Sequence, residues 1–234
     1  MRNIRKLYER TWAIEDGGVR IFLIEGDEKA LVIDTGMSGL DIHKIASEVT
    51  GRPLILLNTH ADPDHTAGNA GFESFYMHPS EAMVYHNIFH KAGRVVPVYE
   101  GDEIDLGGRR MTVIHVPGHT PGSITVLDKE HRCLIGGDPV QEDGDIYMFG
   151  LHRDMQAYIF GLSHLLSFGA DFDWVYPSHA KEKVGKDVIQ KLIEAAEKIL
   201  AGMVEGTPKE LHGARILSYD AGICRFLCDI DICQ

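Results

Sequence analysis

The chain lacks most of what would place it in a membrane or on a nucleic acid. No run of about eighteen apolar residues occurs, so no segment reads as a transmembrane helix. Positive charge is scarce. The 23 Lys and Arg against 35 Asp and Glu leave a formal charge of −12, which repels phosphate backbones and anionic lipid surfaces. No Lys/Arg cluster offers a local exception, so a small-molecule substrate is expected, with no nucleic acid and no membrane partner. The start, Met1-Arg2-Asn3-Ile4-Arg5-Lys6, is basic but has no apolar stretch of signal-peptide length and no small-residue cleavage site. A cytoplasmic protein is the expectation. No Pro- or Ser-rich linker interrupts the 234 residues, and one domain over the whole chain is expected. Oligomeric state is not written in the sequence.

Cysteine is scarce too, with Cys133, Cys224, Cys228 and Cys233 the only examples. Cys224, Phe226, Cys228, Ile230 and Ile232 fall on one face of an alternating segment. They read as packed, reduced thiols rather than metal ligands or a disulfide framework.

What the chain has is a succession of short apolar runs broken by turn residues. Residues 7–14, 19–25 and 30–34 read as strands joined by the turns Glu15-Asp16-Gly17-Gly18 and Gly26-Asp27-Glu28-Lys29. A helix is expected over 41–49, then a buried strand over 54–57, a helix near 65–71, a strand over 74–77 and a helix over 79–89. Residues 95–103 read as loop. Strands follow at 110–116, 124–127 and 132–135. An amphipathic helix over 154–168 carries Met155, Tyr158, Ile159, Leu162, Leu165 and Leu166 on one side. A strand over 174–176, a long helix over 184–201 and a hairpin of 215–219 with 223–229 close the pattern. The hairpin sequence 123–138 echoes 20–35 in its apolar positions. Strands then helices, repeated, are best satisfied by two packed sheets with helices outside, an α/β four-layer arrangement.

Chemistry concentrates at strand ends. Asn58-Thr59-His60-Ala61-Asp62-Pro63-Asp64-His65 puts four potential ligands within six residues, directly after a buried strand, with Pro63 restricting the backbone. Two carboxylates this close repel unless a cation neutralises them. Pro117-Gly118-His119-Thr120-Pro121-Gly122, Gly136-Gly137-Asp138 and Pro177-Ser178-His179 each follow another expected strand, so all four segments point to one shared rim.

In this order the set resembles the metallo-β-lactamase superfamily, with its His-x-His-x-Asp-His signature and later His, Asp and His at strand ends. Asp34-Thr35-Gly36 resembles the family's early Asp motif. The resemblance implies a four-layer αββα sandwich of the metallo-β-lactamase type holding two divalent metal ions. It implies His60, Asp62 and His119 on one ion, Asp64, His65 and His179 on the other, and Asp138 bridging both. Asp34 would orient a ligand rather than bind metal. The implied activity is hydrolysis of a small ester, thioester, lactone or phosphoester by a metal-bridging hydroxide, with Asp64 ferrying a proton to the leaving group.

One ligand departs from the pattern: Asp62 stands where the family has its second His. The charge of two divalent ions is then fully matched by Asp62, Asp64, Asp138 and a hydroxide, whereas the His variant keeps one positive charge. Such a centre polarises a carbonyl less, and the extra oxygen ligand favours iron or manganese over zinc. A different chemistry also follows from Asp62. Flavodiiron proteins carry a carboxylate at this position and reduce oxygen or nitric oxide, which here would need a separate electron donor. A non-catalytic, metal-holding binding domain is a third reading.

Secondary candidates are Tyr147, His152 and Arg153 as substrate contacts, with His152 or Arg153 for a substrate carboxylate. The segment from Met77 to Glu100, with Met83, Tyr85, Ile88 and Phe89, is a candidate flap over the centre. His86 and His90 stand four apart but read as solvent-facing, and His115 reads as a hydrogen-bonded core residue.

Overall fold

The computed structural model describes residues 4–230. Seven strands form the first sheet: β1 (Ile4–Tyr8), β2 (Thr11–Asp16), β3 (Val19–Glu25), β4 (Ala30–Ile33), β5 (Leu54–Leu57), β6 (Ser74–Met77) and β7 (Arg94–Pro97), in that spatial order. The first four meander antiparallel and the last three run parallel to β4. The parallel crossovers carry α1 (Ile42–Ser47), α2 (Pro63–Thr66) and α3 (Pro79–Met83). The second sheet is built from β8 (Glu103–Asp105), β9 (Arg110–His115), β10 (Ile124–Asp128) and β11 (Cys133–Ile135). After β12 (Asp145–Met148) and α4 (Met155–Leu166), it is completed by β13 (Trp174–Tyr176) and β14 (Val184–Gly185). Helix α5 (Asp187–Leu200) precedes β15 (Gly206–Leu211), β16 (Ala214–Asp220) and β17 (Arg225–Asp229), which join β12 in a third, four-stranded sheet.

Side-chain alternation explains the layering. On β3 and β4, Phe22, Ile24, Leu31 and Ile33 enter the space between the large sheets, where they meet Met111, Val113, Ile124, Val126 and Ile135. Their neighbours Ile21, Leu23, Ala30 and Val32 face outward onto Ile42, Ile45 and Ala46 of α1. Leu127 and Leu134 leave the second sheet on its outer side and pack against α4, α5 and the third sheet. The four-layer αββα sandwich follows. The echoing hairpins 20–35 and 123–138 supply neighbouring central strands, β3–β4 and β10–β11, in the two sheets.

Several boundaries differ from the sequence expectations. The strand expected over 7–14 is two strands, because Arg10 takes a left-handed φ of 50° and turns the chain. The helix expected over 79–89 is α3 followed by a π turn at Val84–Ile88. Residues expected as loop at 95–103 include most of β7, and the long helix starts only at Asp187, since Val184 pairs with Val175. The third sheet was not expected. Its strand β15 is polar, contains Pro208 and is exposed, as suits an edge. Cys133, Cys224 and Cys228 are buried and form no disulfide among the described residues, while Cys233 and Ile232 lie outside the described residues. No helix of the described residues is long and apolar enough to cross a membrane.

Candidate metal centre

Asp34, His60, Asp138 and His179 follow the carboxyl ends of β4, β5, β11 and β13, and His119 lies on the loop after β9. The two sheets are tied together at this rim, where the Ile124 amide donates to Thr59 O at 2.9 Å and the Arg20 amide to Ser178 O at 2.8 Å. The first motif divides its ligands by backbone geometry. His60 and Asp62 precede Pro63 in non-helical chain, whereas Asp64 and His65 lie within the single turn α2 that Pro63 opens.

The result is two adjacent clusters. His60, His119 and Asp138 bring ligand atoms within 4.8 Å of one another, as do Asp64, His65 and His179. Asp138 faces both, with Oδ2 3.6 Å from His119 Nε2 and Oδ1 3.2 Å from His65 Nε2 and 3.4 Å from His179 Nε2. Asp62 Oδ2 completes the first cluster at 3.4 Å from His60 Nε2 and 3.5 Å from His119 Nε2. Asp64 Oδ2 stands 3.2 Å from His179 Nε2 and 3.5 Å from His65 Nε2.

Each imidazole has its other nitrogen engaged. His65 Nδ1 meets Asp34 Oδ2 at 2.8 Å, His119 Nδ1 meets Tyr147 O at 2.9 Å, and His179 Nδ1 meets Gly18 O at 3.0 Å. The Thr59 hydroxyl donates to Asp34 at 2.8 Å and so accepts from His60 Nδ1 at 3.0 Å. All four partners are acceptors, so the ring protons sit on Nδ1 and the four Nε2 lone pairs point inward. Two lone-pair nitrogens cannot hydrogen-bond, yet His60 and His119 approach at 3.3 Å, as do His65 and His179. Asp138 Oδ1 is buried with no hydrogen-bond partner among the described residues. This donor set fits cations, and imidazole with carboxylate suits zinc, iron or manganese.

Without a cation, the charges in the cluster are set by carboxylate against imidazole. Burial opposes ionisation of Asp138, but His179, His65 and His119 outweigh it and hold its carboxyl well below the usual range. Burial likewise opposes a charged Asp62, and His60, His119 and Arg153 overcome it. Burial lowers His119, and Arg153 lowers it further, favouring the neutral ring a metal requires. At His65 burial disfavours charge, yet Asp138, Asp34 and Asp64 outweigh it and hold the ring well above the usual imidazole range. At His179 burial is likewise outweighed by Asp138 and Asp64, so without a cation the carboxylates draw protons onto these two rings. The pocket of carboxylates calls for cations.

Asp34, expected to orient a ligand, meets His65 from a strained backbone position, with a φ of 64°. That turn lets Oδ1 accept the Thr59 amide at 2.7 Å while Oδ2 reaches His65. Gly118 is required beside His119, because a Cβ there would lie 2.2 Å from Tyr158 Cα of α4.

Arg153, expected as a substrate contact, lines the main cavity and also contacts the first cluster. Its Nη2 meets Asp62 Oδ2 at 2.6 Å and its Nη1 donates to the carbonyl of His119. Both Nη atoms are thereby engaged by the protein, while Nε is buried without a hydrogen-bond partner among the described residues. His152 is exposed on the adjoining loop, and Tyr147 lines the main cavity. His86 Nδ1 bonds to Lys91 O at 2.9 Å, and the π turn breaks the helical spacing to His90. His115 bonds Pro121 O at 2.8 Å and stacks on His78 at 4.4 Å.

Three positioning residues are not among those the sequence singles out as site residues. Glu81 is buried and clamps two ligand loops, accepting the Ala61 amide at 2.9 Å and the Gly122 amide at 2.8 Å. Arg20 is buried on β3 and holds the loop of His179 through Pro177 O at 2.6 Å and through Ala180 O. Thr59 joins Asp34 to His60. Only Thr59 stood inside a recognisable motif.

The centre floors a cavity of about 810 Å³, walled by Met37 and Phe89 on one side and by Tyr147, His212 and Arg225 of the third sheet on the other. Burial, then the carboxylates of Asp145, Asp64 and Asp138, push the Tyr147 phenol up, so it remains a donor.

The family model of the metallo-beta-lactamase superfamily matches residues 14–192, and the chain belongs to that superfamily. It is 31% identical over 184 residues to acyl-coenzyme A thioesterase MBLAC2 of Gallus gallus, covering 62% of this chain and 66% of that one. It is 29% identical over 131 residues to a hydroxyacylglutathione hydrolase of Bdellovibrio bacteriovorus, covering 54% of this chain and 49% of the relative. The chain thus spans about half to two thirds of the length of these relatives. Among solved structures, a metallo-beta-lactamase from Pontibacter korlensis superposes with a TM-score of 0.72 at 16% identity, over 84% of this chain and 99% of that one. That likeness concerns the fold.

Proposed function

We propose that this protein is a hydrolase that uses two divalent metal ions and acts on a small thioester, with esters, lactones and phosphoesters as further members of the class. The observation that carries the reading is the pair of His/Asp clusters sharing Asp138 at the floor of an open cavity. Two relatives bear names of thioester hydrolases, acyl-coenzyme A thioesterase and hydroxyacylglutathione hydrolase, which narrows the bond class.

His60, Asp62 and His119 would hold one ion, Asp64, His65 and His179 the other, with Asp138 between them. When bound, the ions supply a water-derived nucleophile at neutral pH and polarise the carbonyl oxygen. The chain's own part is positional. Asp34, Thr59, Tyr147 O and Gly18 O fix the four rings with Nε2 inward. Asp64 is one-third exposed at the cavity edge, where it exchanges a proton with the departing sulfur. The Tyr147 hydroxyl donates to the substrate. The acyl carbon–sulfur bond breaks, water's oxygen ends on the acyl carbon and a proton on sulfur, giving a carboxylate and a thiol.

The competing redox reading stood on the carboxylate of Asp62. Arg153 offsets that charge, which returns the centre to the electrostatics of an imidazole at the same position and removes the ground for expecting weak polarisation. The test is a panel of acyl-coenzyme A, hydroxyacylglutathione, lactone and phosphodiester substrates with metal-loaded protein in air-free buffer. Thioester turnover without oxygen supports the reading. Absence of turnover across the panel, or turnover only with oxygen uptake, overturns it.

A further inference from the structure

Beside the main cavity lies a second, smaller chamber of about 170 Å³, and Asp62, Phe89 and Arg153 line both. Its remaining walls are largely apolar: Val84 and Ile88 from the π turn, Pro121 from the loop of His119, and Phe149 and Leu151 from the loop after β12. The charged side chains at its boundary are engaged with the protein. Glu81 accepts two backbone amides, and Asp62 is paired with Arg153.

The π turn shapes this chamber. Phe89 N bonds back to Val84 O at 2.9 Å, five residues earlier. The widened turn, a feature concentrated at functional sites, puts both Val84 and Ile88 in the chamber wall. Leu151 is 67% exposed, an unusual exposure for a large apolar side chain at the mouth of a site, and an occupant of the chamber would cover it.

Resting on the thioester reading above, we propose that this chamber is the acyl pocket, and that it sets an upper length of about six carbons, or a phenyl ring, on the acyl group. An apolar cavity of about 150 Å³ accommodates a benzene ring, so 170 Å³ takes a group of that size and little more. The chamber shares Asp62, a member of the first cluster, with the main cavity. A carbonyl held at the centre therefore directs its short acyl arm into the chamber and leaves the larger thiol in the main cavity against Tyr147, His212 and Arg225. Ile88 is the specificity-determining residue, since it is half-buried in the wall and is not itself a candidate ligand.

The experiment measures calorimetric binding of straight-chain carboxylates, acetate to dodecanoate, to the metal-loaded protein. Affinity should rise about three- to fourfold per methylene to about six carbons and then stop rising. Ile88→Trp should weaken hexanoate at least tenfold while leaving acetate unchanged, and Ile88→Ala should move the limit to longer chains. Affinity that climbs steadily to twelve carbons, or one profile shared by wild type and both variants, overturns the assignment. Turnover is read separately. Chain-length-limited binding without hydrolysis of hexanoyl thioesters supports the pocket and removes the hydrolase reading, whereas hydrolysis with no length limit removes the pocket alone.

Discussion

Arg153 Nη2 stands 2.6 Å from Asp62 Oδ2, the same oxygen that lies 3.4 Å from His60 Nε2 and 3.5 Å from His119 Nε2. One carboxylate oxygen is shared between a fixed cation of the protein and the cluster of His60 and His119. The pair therefore behaves as a single neutral unit where the superfamily has a histidine.

A double-mutant cycle tests this unit. Asp62→His alone leaves a buried guanidinium unpaired beside the metal position and should weaken divalent-metal affinity at least tenfold. Asp62→His with Arg153→Gln should recover most of the loss, a coupling of about 1–3 kcal/mol. Metal competition against a chelator reads both. Additive effects would show that the two residues act independently.

Asp34→Asn should lower metal affinity about 10–100-fold, the usual consequence of removing a carboxylate that orients a ligand histidine. It disturbs His65 directly and His60 through Thr59. Titration with a fluorescent metal indicator measures it, and affinity within twofold of wild type would remove Asp34 from the assembly.

Glu81→Gln should destabilise the fold by about 1–3 kcal/mol, because an amide nitrogen would confront a backbone N–H at one of its two contacts. The urea midpoint should fall at an unchanged slope. Metal affinity should fall with it, since Glu81 joins the loops of His60 and His119. A fall in stability with wild-type metal affinity would make Glu81 a packing residue only.

Alkaline pH should destabilise the protein before it affects most small domains. Burial pushes the thiols of Cys133 and Cys224 up to about 12. Their folded values lie above the unfolded one near 9, so the folded state holds these protons more tightly. Stability from this source is complete below about pH 9 and is lost progressively as pH rises towards 12, by at most about 1.4 kcal/mol per thiol per pH unit. Urea midpoints at pH 7, 9 and 10.5 should be level and then fall. A level curve to pH 10.5 in wild type, matching that of Cys133→Ala with Cys224→Ala, would contradict it.

The fold was legible where period and punctuation agree. Alternating Phe22, Ile24, Leu31 and Ile33, cut by Gly26-Asp27, can be read as a hairpin before any coordinates exist. Strand β15 was not legible, because a polar edge strand has no buried face to impose alternation on its sequence. The break in the helix over 79–89 was hidden as well, since a π turn keeps a helical composition and shifts only the hydrogen bonds. Ligand types announced themselves as His and Asp after strands. Their partners did not. A lone Arg20 or Glu81 reads as a solvated charge, and only the approach of distant strands shows each one turned inward. Arg153 was noticed for its place after Asp138, but its true contact with Asp62, 91 residues away, is a product of the tertiary fold.

Metal stoichiometry tests the central claim most directly. Mass spectrometry of the intact protein under native conditions, after dialysis against trace divalent metal, should find two ions per chain, and one in each of His119→Ala and His179→Ala with the fold retained. A wild-type chain holding one ion or none under the same conditions would contradict the account.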